Sequence, residues 1–177
     1  MKILKWILWV VLALIVLLVA GGYVLSSRYT VSRSIVIQAP AEKVYPLVAS
    51  PREWTRWSVW NRRDPGMRID YAGPDSGSGA KWTWHSKSQG DGSMTFTSAE
   101  PPRRVAYALY FSDFNTTSTG DLQLAAEGAG ATRVTWTMDG DMGANPVFHW
   151  MALFADRMIG KDFEAGLANL KEVVEKS

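Results

Sequence analysis

The sequence predicts an α+β fold in which a curved antiparallel sheet grips one long C-terminal helix, preceded by one N-terminal transmembrane helix. Three observations carry it: an uncharged apolar run at the N-terminus, a series of short alternating segments between turn residues, and a helical period over the last thirty residues. The 177 residues hold one ordinary domain plus a modest appendage. A composition 47% apolar and 20% charged is that of a folded chain rather than a disordered or collagen-like one.

From Trp6 to Leu25 the chain reads WILWVVLALIVLLVAGGYVL. Helical rise carries such a run across about 30 Å, the thickness of a bilayer's hydrocarbon core. Trp6 and Trp9 near one end, and Tyr23 and Tyr29 near the other, suit the two interfaces. A cleaved signal peptide is the rival reading, with Lys2 and Lys5 as its basic start and Val19-Ala20-Gly21-Gly22 as small residues for cleavage. The run exceeds the usual ~7–15 apolar residues of a signal peptide and no clean A-x-A follows, which favours an uncleaved anchor. Residues 1–27 are read as this anchor and residues 28–177 as the globular domain. Lys2 and Lys5 give a slight positive-inside bias, which puts the N-terminus in the cytoplasm. The chain is then single-pass in the inner (cytoplasmic) membrane, with its C-terminal domain periplasmic.

Past the anchor, residues 26–177 hold 17 basic and 17 acidic side chains, a neutral balance that argues against a nucleic-acid partner. Tyr29 to Gln38 is a strand with β-branched residues, and Ala41 to Val48 is a helix after Pro40. Ser50-Pro51 opens a second short helix carrying Trp54 and Trp57 three apart, and Asn61 to Gly66 reads as a charged loop. Strands follow at Met67–Ala72, at Ala80–Ser86, around Met94 and Phe96, from Val105 to Phe111, around Leu122 and Leu124, and from Val134 to Met138. Turn clusters separate them, among them Gly73-Pro74-Asp75-Ser76-Gly77 and Gly128-Ala129-Gly130. From Pro146 to Lys176 the residues Phe148, Met151, Ala155, Met158, Phe163, Leu167, Leu170 and Val174 approximate one helical stripe, with Gly160 as a candidate kink.

Five segments then match a known pattern in order. They are Ile35 to Val48 (IVIQAPAEKVYPLV), Ser50 to Trp57 (SPREWTRW), Gly77 to Trp84 (GSGAKWTW), Glu100 to Val105 (EPPRRV) and Gly128 to Trp136 (GAGATRVTW). Over residues 29–175 the chain resembles the START-like, helix-grip superfamily, also called SRPBCC or polyketide cyclase/dehydrase and lipid-transport proteins. The resemblance implies a cavity between sheet and long helix that admits a hydrophobic ligand. It does not fix an activity, because one scaffold hosts lipid carriers, hormone binders, cyclases, hydrolase-like members and chaperone activators. The anchor departs from most members and disfavours a freely diffusing shuttle.

No catalytic constellation emerges from the spacing of residues. There is no cysteine, and the two histidines, His85 and His149, lack a Ser, Cys or carboxylate at a telling distance. HExxH, P-loop and GxSxG motifs are absent, so no metal and no cofactor is expected. Tyr71, Tyr107 and His85 are the polar candidates if the cavity hosts cyclase chemistry. Arg52, Arg56, Arg62, Arg63 and Arg68 form a local basic excess, read first as a solvated surface and second as a headgroup contact. Nine tryptophans in a short chain suit an aromatic-lined pocket. The expected ligand-binding residues are Trp82, Trp84, Phe96, Tyr107, Trp136, Met151 and Met158. The expected function is a membrane-anchored binder of a hydrophobic small molecule or lipid, without catalysis. A cyclase- or hydrolase-type enzyme and a structural or regulatory partner of an envelope protein are the alternatives.

Overall fold

The computed structural model describes residues 2–113 and 115–176. Positions 1 and 177, the outer limits of the two ranges read from the sequence, lie outside the described residues. The apolar run forms α1 (Lys2–Val24), exposed along most of its length, with Val19 and Gly21 half-buried and Gly22 buried near its end. It is long and apolar enough to cross a membrane, a test that a signal sequence also passes.

The alternating segments form seven strands: β1 (Arg28–Ile37), β2 (Arg68–Ala72), β3 (Lys81–His85), β4 (Gly92–Glu100), β5 (Arg104–Phe111), β6 (Thr116–Glu127) and β7 (Ala131–Asp141). They make one antiparallel sheet in the order β1-β7-β6-β5-β4-β3-β2. The first strand thus lies at one edge, and the short helices α2 (Ala41–Ala49), α3 (Trp54–Trp57) and α4 (Val59–Arg63) carry the chain to the other. Period-two alternation buries Met94, Phe96, Val105, Tyr107, Leu109, Val134, Trp136 and Met138 on one face. Burial contributes about 1.5–3 kcal/mol for each large apolar side chain. An irregularity in register between Phe96 and Ser98 bends β4 and adds curvature.

Helix α4 replaces part of the expected loop: Asn61 to Arg63 are helical, and only the residues from Asp64 to Met67 connect to β2. The tryptophans of α3 close the end of α2. Trp54 Nε1 donates to the Val48 carbonyl (2.9 Å) and Trp57 Nε1 to that of Leu47 (3.0 Å), groups the helix itself leaves unpaired.

The long helix α5 (Pro146–Glu175) begins under Asn145, whose side-chain oxygen accepts from the Val147 N–H at 3.0 Å, with Pro146 in the first turn. It runs unbroken through Gly160. That glycine makes room for a clamp, since a Cβ there would overlap the Arg33 guanidinium. From β1, Arg33 donates to Asp156 Oδ1 (2.7 Å) and Glu164 Oε1 (2.6 Å) on either side of Gly160. Farther along, Lys171 Nζ donates to the Val36 carbonyl (2.7 Å) and Glu175 accepts from the Gln38 N–H (2.7 Å).

The expected single stripe on α5 is two stripes. Phe163, Leu167, Leu170 and Val174 are buried against the sheet, whereas in the stripe's first half Phe148, Met151 and Met158 are exposed and only the small Ala155 is buried. Spacing gives the reason: the step from Met158 to Phe163 is five residues, and at about 100° per residue it turns the stripe by about 140°.

Candidate functional site

The concave face of the sheet, the α3–α4 segment and the middle of α5 enclose a cavity of about 190 Å³. Its interior is built from buried side chains: Trp54, Trp82, Trp84, Met94, Tyr107, Leu109, Trp136, Met138 and Phe163, with Ser58 among them. Its rim is half-buried and includes Trp60, Asn61, Met67, Gln89, Phe111, Ile159 and Asp162. The local sequence explains the division. Strand alternation aims the β3, β4, β5 and β7 side chains inward, while α4 and one turn of α5 border the opening.

The aromatic walls are held by one another. Trp136 stacks on Phe163 with ring centroids 3.9 Å apart and planes 5° from parallel. Trp54 and Trp60 meet Trp136 edge-on at 5.4 and 5.8 Å. Trp136 Nε1 donates to the Tyr107 hydroxyl (2.9 Å), which donates to the Thr137 carbonyl (2.7 Å). Burial pushes the Tyr107 phenol far above its ordinary range, so it stays neutral.

Of the residues expected to bind a ligand, Trp82, Trp84, Tyr107 and Trp136 line the cavity. Phe96 is buried in the neighbouring core, edge-on to Trp82 at 5.5 Å, and does not line it. Met151 and Met158 are 47% and 67% exposed and lie outside the cavity; Ile159 and Phe163 take the place expected of them. Trp54, Trp60, Ser58, Asn61, Gln89, Asp162 and Phe163 were not anticipated. The close Trp54–Trp57–Trp60 spacing and the aromatic at Phe163, one five-residue step past Met158, are the signals that identify part of this set.

The polar candidates are elsewhere or committed. His85 faces outward against Asp91, Nδ1 to Oδ2 2.9 Å, and this partner holds the Asp91 carboxyl below its usual range. Tyr71 lies under the Arg52 guanidinium (4.3 Å to the ring centre) and borders a separate small hollow. Asp162 at the rim receives a bidentate Arg63, with Nη1 to Oδ2 at 2.8 Å. The basic excess is likewise absorbed: Arg52, Arg56, Arg63 and Arg68 each meet a carboxylate, and Arg62 donates to Asn169. Three rim or interior groups remain lightly engaged. Ser58 Oγ has no hydrogen-bond partner among the described residues, the Asn61 side-chain amide reaches only the Met67 sulfur (4.0 Å), and that of Gln89 only Ser88 Oγ (3.5 Å).

Solved structures share this architecture at low identity. Protein CV1439 from Chromobacterium violaceum is 19% identical, with TM-score 0.59 over 83% of this chain and 98% of that one. The Zhui aromatase/cyclase from a Streptomyces species is 15% identical, with TM-score 0.58 over 84% and 94%. A truncated norcoclaurine synthase from Thalictrum flavum is 12% identical, with TM-score 0.59 over 83% and 93%. No curated protein sequence matches the chain. Residues 28–175 match the family described as polyketide cyclase / dehydrase and lipid transport, nearly the whole of the chain beyond α1. The chain belongs to that family.

Proposed function

We propose that this protein is a membrane-anchored binder of a small hydrophobic molecule or lipid fragment, held between the sheet and α5. The observation that carries the reading is the cavity: aromatic and thioether walls, with its lightly engaged polar groups gathered at Ser58, Asn61 and Gln89. Such a site suits an apolar body with one uncharged hydrogen-bonding end. Its volume exceeds the roughly 150 Å³ of a dry protein cavity that takes up benzene. That matches one or two rings, or part of a single acyl chain, and is too small for a whole diacyl lipid.

Binding is favoured over acid–base catalysis because the titratable groups at the cavity are spent. Tyr107 is locked between Trp136 and Thr137, and Asp162 is neutralised by Arg63. Retention of α1 is supported by its contact with the domain. Trp150 Nε1 donates to the Leu18 carbonyl (2.9 Å), and His149 Nδ1 lies 2.8 Å from the Gly22 carbonyl. Cleavage near Gly21 would strip away the Leu18 half of this contact.

The test uses the full chain in lipid nanodiscs, with tryptophan emission as the readout and naphthol and naphthalene as probes. Uptake of either probe quenches the emission of the cavity tryptophans. Leu109→Trp, which fills the interior, abolishes uptake while the circular dichroism spectrum is unchanged. Ser58→Ala weakens naphthol and spares naphthalene. Failure of the wild-type chain to take up either probe, or to carry any organic molecule in native mass spectrometry, sinks the binding reading.

A further inference from the structure

The first half of α5 carries a second apolar surface that the cavity does not use. Val147, Met151, Phe154 and Met158 recur at steps of four, three and four, the spacing of a continuous seam, and all are exposed. Phe148 flanks it, about 60° round the helix from Met151, and Pro146 to Ala155 contains no Asp, Glu, Lys or Arg. A monomeric soluble protein rarely leaves such a surface open to water.

Contact with α1 fixes where this surface lies. Gly21 and Gly22 let the helices meet: a Cβ on Gly21 would stand 2.6 Å from the Trp150 ring, and one on Gly22 would overlap the Pro146 carbonyl. His149 is buried between two backbone carbonyls, with Nδ1 2.8 Å from that of Gly22 and Nε2 2.9 Å from that of Gly143. Leu18, which accepts from Trp150, stands six residues before the end of α1, roughly 9 Å inside it at the helical rise. When α1 spans a bilayer, the start of α5 is therefore held at the depth where amphipathic helices rest, about 5–10 Å into the headgroup and acyl boundary. Arg157 and Lys161 follow the seam, and neither forms an ion pair among the described residues, which leaves both to meet headgroup phosphates.

We infer that residues 146–158 of α5 form an interfacial membrane helix beside α1, holding the domain down on the bilayer surface. The cavity rim begins at Ile159, the next residue, so the opening is brought to lipid from which an apolar ligand can partition. The inference rests on the anchor reading, and the experiment separates the two. The chain has no cysteine, so one introduced thiol places one label. Full-length Ile15→Cys, Met151→Cys, Phe154→Cys and Ala125→Cys proteins are each labelled with an environment-sensitive dye. They are then reconstituted in phosphatidylcholine–phosphatidylglycerol vesicles whose acyl chains carry spin labels.

The expected result is a several-fold loss of emission at Ile15, Met151 and Phe154 and none at Ala125. Quenching at Ile15 with Met151 and Phe154 left in water overturns the inference and spares the anchor. Loss of quenching at Ile15 overturns both. Dry but unquenched labels at Met151 and Phe154, with self-quenching between copies, assign the seam to a second copy of the chain and overturn the inference.

Discussion

Helix α5 contains two apolar seams of the same spacing and opposite fate. Phe163, Leu167, Leu170 and Val174 repeat at four, three and four and are buried, while Val147, Met151, Phe154 and Met158 repeat identically and are exposed. Composition does not separate them, and neither does helical period. The difference lies in what each seam faces: the second half lies against the sheet, and the first half reaches past it to the end of α1. A periodic apolar stripe thus identifies a buried face only when a partner element stands at the matching angle.

The largest contrast is in stability. Phe163→Ala removes the ring stacked on Trp136 and should cost about 3–5 kcal/mol. Met158→Ala, the same helix one step earlier, should change stability by less than about 0.5 kcal/mol. Urea unfolding of the full chain in micelles checks both, and equal losses would erase the distinction between the halves. Next in size is the α1 junction. Gly22→Val overlaps Pro146, displaces α1, and loses the His149 and Trp150 hydrogen bonds. At about 1 kcal/mol each, these correspond to roughly thirtyfold faster amide exchange over residues 147–154, with residues 163–174 unchanged. Uniform acceleration along α5 would show that the junction supports the whole helix rather than its first half.

A smaller effect comes from acid. Arg33 holds the Asp156 carboxyl below its ordinary range through their hydrogen bond, with their charge attraction adding to it. A carboxylate depressed in the folded state stabilises the fold above its unfolded value, about pH 4, and loses that contribution as pH falls through the lower folded value. Acid should therefore loosen the clamp at the junction of the two halves. Asp156→Asn should flatten that part of the pH dependence, and an unchanged acid profile would place the linkage in other carboxylates.

How far the chain could be read beforehand follows from which interactions are periodic. All seven strands, α2 and α5 are legible because alternation and turn residues state which face each residue takes. Trp82, Trp84, Tyr107 and Trp136 were legible as inward-facing for the same reason. Met151 and Met158 fall on the cavity side only if one stripe runs straight through the five-residue step to Phe163, and that step turns it by about 140°. Asn61, Gln89 and Asp162 were not legible at all. They reach the rim through α4, the β3–β4 turn and one turn of α5, and only the closed fold brings those three together. From the sequence, Gly21 and Gly22 read only as small residues for cleavage and Gly160 as a kink, since a sequence shows a missing side chain but not the neighbour that needs the space.

Gly160 gives the smallest expected effect and the closest test of how the halves are joined. In a helix interior, alanine is preferred to glycine by about 1 kcal/mol, so Gly160→Ala gains that much from the backbone. The new methyl group, however, would overlap the Arg33 guanidinium, which must then give up its fit to Asp156 and Glu164. Because Arg33 is the far end of a flexible side chain, it can retreat toward water, and the two effects nearly cancel. The single variant should lie within about 1 kcal/mol of wild type. In an Arg33→Ala background the guanidinium that the methyl group overlaps is gone, and the same Gly160→Ala change should stabilise the fold by about 1 kcal/mol. The double-mutant cycle isolates the coupling between glycine and arginine. Equal effects of Gly160→Ala in both backgrounds would mean that the glycine serves something other than the clamp, and the helix would then need no small residue where its two seams part.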